Sequence, residues 1–161
     1  MNTSNNPKIS SRGPLWAALL LAGCLECDAL PNTLPERQDV LDAIHQVENP
    51  NNVRRPGPAG ELGAYQFRRE TWQMYTGRPF HDALDRQCSD IVATRHYDWL
   101  IRYLVRGGKS PTTYNIALAW NAGLGAVLRG RIPASSHRYA ERVVNLVEDA
   151  GTPDFLGRTG K

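Results

Sequence analysis

Val40-Leu41-Asp42-Ala43-Ile44-His45-Gln46-Val47-Glu48, followed twelve residues past the glutamate by Gly60-Glu61-Leu62-Gly63-Ala64-Tyr65-Gln66-Phe67, is the stretch that organises the chain. Val40, Leu41, Ile44 and Val47 recur at helical spacing, so Glu48 should emerge at the C-terminal end of a core-packed helix, beside an apolar surface. An apolar flank disfavours a carboxylate and raises its pKa, and the partial negative charge of a helix C-terminus pushes the same way. A carboxyl that stays protonated near neutral pH can act as a general acid.

Working outward, Thr33-Leu34-Pro35-Glu36 matches a capping box and predicts a helix from about Leu34 to Asn49. Asn51 to Gly60 is dense in Asn, Pro, Gly and Arg and reads as an irregular loop along one side of a cleft. Leu62 to Phe67 reads as a short extended piece, with a helix from about Arg69 to Thr76 behind it that carries Trp72 and Tyr75. Cys88, Ile91, Val92, Trp99, Leu100, Tyr103 and Leu104 signal a long helix stopped by Gly107-Gly108. A helix from about Pro111 to Asn121-Ala122-Gly123 is small-residue-rich and should be central and buried. A last one after Ser135-Ser136 presents Tyr139, Val143, Leu146 and Val147. The fold class is therefore mainly α with a small β-hairpin or strand segment.

The N-terminus has a different character. Lys8 and Arg12 precede the apolar run Leu15 to Gly23, too short to span a bilayer and suited to the h-region of a secretory signal. Leu21-Ala22-Gly23-Cys24 resembles the bacterial lipobox, which implies lipidation at Cys24 and anchoring by several acyl chains. The competing reading is an ordinary cleaved signal with an incidental cysteine. The expected organisation is a signal peptide over 1–23, a tether over 24–33, a catalytic domain over 34–150 and a flexible tail over 151–161. The whole sequence has 19 Lys and Arg against 16 Asp and Glu. Loss of Lys8 and Arg12 with the leader leaves a nearly neutral protein, which does not suit nucleic-acid binding.

Of the three cysteines, Cys27 and Cys88 could pair in an oxidising compartment, or Cys88 could be a small buried hydrophobe on its helix stripe. His45, expected to be solvated, and His81, His96 and His137 share no ligand spacing, so neither a metal nor another cofactor is expected.

Three separated segments, Ile44-His45-Gln46-Val47-Glu48, Gly60-Glu61-Leu62-Gly63-Ala64-Tyr65-Gln66 and Ala117-Leu118-Ala119-Trp120-Asn121-Ala122-Gly123, resemble in order the motifs of the lytic transglycosylase and goose-type lysozyme superfamily. Ile132-Pro133 followed by Tyr139 is similar to a later family segment. The resemblance implies a lysozyme-like fold around a glycan cleft. It also implies cleavage of peptidoglycan between N-acetylmuramic acid and N-acetylglucosamine, at the periplasmic face of the cell envelope. Carried across, Glu48 falls on the catalytic acid/base and Gln66 on the strand-motif glutamine. Trp120 falls on a tyrosine, Asn121 and Gly123 on their counterparts, and Tyr139 on the later tyrosine. The chain departs from the pattern in carrying Asn49 and Gly57 at serine positions, Trp120 for tyrosine and Gly130 for glutamate.

In the lytic reaction one carboxyl can suffice: Glu48 protonates the glycosidic oxygen, then as carboxylate takes the proton from the muramoyl C6 hydroxyl, which closes onto C1 as a 1,6-anhydro sugar. An inverting hydrolysis needs a base as well, with the two carboxyls roughly 6.5–9.5 Å apart. Glu61 keeps that route open, because Glu61 to Gln66 is similar to the D-Y-G-I-L-Q run of chicken-type lysozymes. The competing role for Glu61 is to bind loop amides or to pair with Arg54 or Arg55. Tyr65, Trp120 and Tyr139 are candidates to stack on sugar rings, and Gln66 and Asn121 to hydrogen-bond them, each with a competing reading as core or backbone support. A non-catalytic peptidoglycan-binding lipoprotein and a wall-opening subunit of an envelope-spanning machine are the further function classes.

Overall fold

The computed structural model describes residues 34–152. The leader, Cys24, Cys27 and most of the expected tail lie outside them. The described residues fall in one unit that begins at Thr33 and are mainly helical. Helix α1 spans Arg37–Glu48, α2 Arg69–Gln73, α3 Arg86–Arg106, α4 Thr113–Ala122, α5 Leu124–Leu128 and α6 Ala134–Gly151, with a 3-10 turn at Phe80–Leu84 before α3.

Helix α4 is the hub. Its consecutive residues Ile116, Ala117, Leu118 and Ala119 are all buried, so the helix is covered on every side along this turn. Alanines at two of those positions let neighbouring backbones come close; α6 packs on α4 most extensively and on α1 next, and α3 closes another side. The covering stripes follow helical periodicity: Val40, Leu41 and Ile44 from α1, Val92, Tyr97, Leu100 and Leu104 from α3, and Tyr139, Ala140 and Val143 from α6. Each fully buried aliphatic side chain contributes about 1.5–3 kcal/mol of transfer free energy before entropy is subtracted.

Helix boundaries depart from the sequence reading where caps decide them. α1 starts at Arg37 with Glu36 at the cap position and no side-chain cap bond, so Leu34 and Pro35 precede the helix and the expected capping box does not set its start. α3 is capped instead by Asp85, whose carboxylate accepts from the Cys88 amide at 2.8 Å, and α4 by Thr112. Ser135-Ser136 lie inside the first turn of α6, after Pro133 at its cap. α5 was not anticipated; Gly123, at φ +82°, breaks the apolar run and lets a second short helix leave α4 in a new direction.

The expected hairpin or strand amounts to one antiparallel bridge, Leu62 with Phe67, whose two backbone bonds are 3.0 and 2.9 Å long. The four residues between them turn tightly. Gly63 has φ +81°, and a Cβ there would lie 1.8 Å from the Ala83 carbonyl oxygen, so only glycine lets this turn seat on the 3-10 turn. Three stripe assignments are corrected: Ile91, Tyr103 and Leu146 are exposed, at 53 %, 37 % and 38 %. Tyr103 finds its neighbours on its own helix, in Trp99 and Arg106. Cys88 is likewise only half-buried. Among the described residues no helix is long and apolar enough to cross a membrane.

Candidate active site

Glu48 is the last residue of α1, with its carboxyl turned into the protein. The Tyr139 hydroxyl, from α6, donates to Glu48 Oε1 at 2.9 Å. Burial raises the Glu48 pKa to about 7; the Tyr139 bond works against that rise, the Glu61 charge adds to it and Arg142 subtracts. The apolar flank read from α1 thus has its counterpart in desolvation, which is the main cause of the shift. Tyr139 engages Oε1, which leaves Oε2 without a hydrogen-bond partner among the described residues.

Two adjoining hollows meet at this carboxyl. The larger, about 620 Å³, has an aromatic side built from Tyr65, Phe67, His96 and Trp120 and a polar side with Glu61 and Asn121. The second, about 530 Å³, is bounded by the loop that follows α1. Glu48, Pro58 and Gln66 line both, so the acid sits where the two hollows adjoin.

The loop is pinned. Asn49, buried at the end of α1, accepts from the Val53 amide at 2.8 Å and donates to the Val53 and Gly63 carbonyls at 3.0 and 3.1 Å. One side chain therefore ties α1, the loop and the Gly63 turn together directly behind Glu48. At the other end the Gly57 amide donates to the Glu61 carbonyl at 2.9 Å. A Cβ at Gly57 would lie 2.7 Å from Glu61 Oε2 and 2.8 Å from Gln66 Oε1, so glycine there lets both side chains close over the loop. Gln66 has φ +46°, rare for a residue with a side chain, and donates through Nε2 to the Gly63 carbonyl at 2.9 Å.

Glu61 lines the larger hollow with only 17 % of its side chain exposed. It accepts from the Ala59 amide at 2.9 Å and pairs with Arg68 at 3.6 Å. The expected loop-amide contact is present, but the cation is Arg68 and neither Arg54 nor Arg55. Backbone amides, with Arg68, hold the Glu61 carboxyl below the ordinary range. Around pH 6 the groove therefore carries one largely protonated carboxyl and one carboxylate, and near pH 7 the first is about half protonated.

The aromatic candidates separate. Trp120 is half-buried, 5.9 Å from Phe67 and 4.7 Å from His96 between ring centroids, and contributes to the larger hollow. Tyr65 is only 1 % exposed; its hydroxyl donates to Asp90 at 2.6 Å, on the side held by Arg86, so it is a wall of the groove and offers no face for stacking. Tyr139 is also buried and acts on Glu48, so its proposed stacking role is corrected to a hydrogen-bonding one. Asn121 and Gly123 are exposed at the rim. His45, expected in solvent, is half-buried between Arg86 Nη1 at 3.0 Å and Asn52 at 3.1 Å.

The sequence marks Asn49 only as a departure from the family's serine and His96 only as a histidine without ligand spacing, and gives neither a role at the site. Asn49 had a signal, its position directly after the acid. His96 had none: it is one residue of a long helix, brought to the groove by packing. It lies 2.9 Å from the Tyr75 hydroxyl and stacks on Trp99, and burial lowers its pKa to about 4, so it is neutral at pH 7. No protein-family model, curated protein sequence or solved structure matches the chain. What the geometry defines is a class of site: a groove with an aromatic side and one protonatable carboxyl at its waist.

Proposed function

We propose that the protein is a lytic transglycosylase of lysozyme-like fold that cleaves peptidoglycan strands between N-acetylmuramic acid and N-acetylglucosamine. The observation that carries this reading is Glu48: a carboxyl with pKa about 7, held by Tyr139 at the meeting point of two hollows. Its pKa suits a group that must give a proton and then take one near neutral pH. Glu48 delivers its proton to the glycosidic oxygen as the C1–O bond breaks. The carboxylate then accepts the C6 hydroxyl proton while O6 bonds to C1, and the acid is restored with no water consumed. Tyr139 stabilises the carboxylate formed between the two steps. Trp120, backed by the buried Phe67 ring, suits the apolar face of a pyranose, and the Leu62–Phe67 bridge serves as a minimal hairpin lining the cleft. Lipidation at Cys24 would hold the domain at the periplasmic face of a membrane, and Cys24→Ala is expected to release it to the soluble fraction.

A specific observation favours a second route. Glu61 stays ionised in the groove where Glu48 is protonated, and carboxyls with pKa values pushed apart divide naturally into base and acid. In that route Glu61 activates water and the product has a reducing end. Mass spectrometry of fragments released from purified peptidoglycan separates the two, because the 1,6-anhydro product is lighter by one water. Anhydro ends that vanish in Glu48→Gln and persist in Glu61→Gln support the lytic reading. Reducing ends lost in both variants overturn it in favour of hydrolysis. Binding with no release would mean a glycan-binding protein.

A further inference from the structure

The two hollows beside Glu48 differ in chemistry. The larger has four aromatic rings among its lining residues. The second has none: Val53, Pro56 and Pro58 are its apolar parts, Asn49 and Gln66 its neutral polar ones, and Arg55 its cation. Such a surface gives a sugar ring nothing to stack on, but suits an extended chain bearing a negative charge. Beside it is a third hollow of about 310 Å³, which shares Asn49 and Val53 with the second and is lined by Arg54 and Arg86 together with Asp85. Arg55 and Arg54 thus line adjoining hollows, the first of them next to Glu48.

Among the described residues neither Arg54 nor Arg55 has an ion-pair partner, whereas the nearby Glu61 is engaged by Arg68 and Arg86 by Asp90 and Asp42. The backbone that carries them is held on both sides. Asn49 bonds to Val53 through both its N–H and C=O, the Gly57 amide is tied to Glu61, and Pro56 restricts the backbone next to Arg55. Less ordering entropy is then lost on binding than for a free loop.

We propose that the second hollow is a binding site for an anionic peptide substituent of the glycan, the stem peptide that a muramoyl residue carries on its lactyl ether, with a free carboxylate received by Arg55 and the following part of the peptide passing Arg54. This rests on the glycan-cleavage reading given above and names which form of the polymer the enzyme prefers. A guanidinium presents paired N–H donors that match a carboxylate, which a lysine does only as a point charge.

The test compares soluble glycan strands bearing their peptides with the same strands stripped by an N-acetylmuramoyl-L-alanine amidase, using the full protein. The wild type is expected to favour peptide-bearing strands roughly 10-fold in kcat/KM, with the difference in KM, as suits an exposed charge-assisted contact. In Arg55→Ala that ratio should fall toward one, Arg55→Lys should restore part of it, and Arg54→Ala should lower it less. Equal use of both strands by the wild type, or a ratio unchanged in Arg55→Ala, overturns the peptide site and leaves glycan cleavage standing. Absence of products from both strands overturns the cleavage reading, and the peptide site with it.

Discussion

Glu48 and His96 are buried groups of opposite charge type in the same groove, and their effects on stability should nearly cancel as pH changes. Glu48 rises from 4.5 to about 7 on folding; the native protein then holds a proton that the unfolded chain releases, so stability falls as pH rises from 4.5 through 7. His96 drops from 6.5 to about 4; the unfolded chain holds the extra proton, so stability rises as pH rises through that window. Each shift spans about 2.5 pKa units, and at about 1.36 kcal/mol per unit each should move stability by about 2.5 kcal/mol between pH 4.5 and 7. Glu48→Gln is nearly isosteric and keeps an oxygen for Tyr139. It should remove the falling contribution, so that this variant gains about 2.5 kcal/mol relative to the wild type on going from pH 4.5 to 7. His96→Gln should show the opposite change. Urea unfolding of the three proteins at several pH values reads this directly, and carboxylates common to all, such as Asp85, drop out of the differences. A Glu48→Gln curve that runs parallel to the wild type would refute the assignment of Glu48 as a carboxyl protonated by burial.

Tyr139→Phe removes the hydrogen bond that favours the Glu48 carboxylate. A bond to a charged group contributes about 1.5–3 kcal/mol, so the alkaline limb of the pH–rate profile should move up by roughly 1–2 units; an unmoved limb would mean Tyr139 does not act on the acid. Gly63→Ala should cost more than about 3 kcal/mol, because it combines a positive φ with a Cβ 1.8 Å from a carbonyl oxygen. Gly60→Ala, at a similar φ of +82° but with open space around it, should cost only about 1–2 kcal/mol, and thermal melts of the pair separate strain from collision. Asn49→Ala removes three hydrogen bonds at once, two to Val53 and one to the Gly63 carbonyl, which keeps its bond from Gln66. It should destabilise by about 1–3 kcal/mol and loosen the 51–60 loop, seen as faster amide exchange at Val53.

The reading from α1 shows how far local pattern carries. The spacing of Val40, Leu41 and Ile44 placed Glu48 at the end of a packed helix, and the small residues of 116–119 marked α4 as central. A helix's apolar face and the residues that stop it are encoded within a few turns of chain, so sequence alone suffices there. Tyr65 shows where it stops: Leu62 to Phe67 reads as a short extended piece, but the chain turns tightly there, and only packing against α3 sent the Tyr65 hydroxyl to Asp90 and buried its ring. The exposed Ile91 and Leu146 failed for a related reason, since periodicity gives the direction of a stripe and not how far the neighbouring helices reach across it.

By itself, then, the sequence determined that the chain is mainly helical, where its main helices lie, and that Glu48 is the carboxyl with an apolar flank. Only the tertiary structure decided what surrounds that carboxyl. Tyr139 reaches Glu48 across 91 positions of chain, His96 arrives on a helix with no local mark of a site, and Asn49 joins the helix end to the Gly63 turn. Contacts of this kind depend on which helix faces meet and at what depth water is excluded, and that depth is what sets the pKa of Glu48.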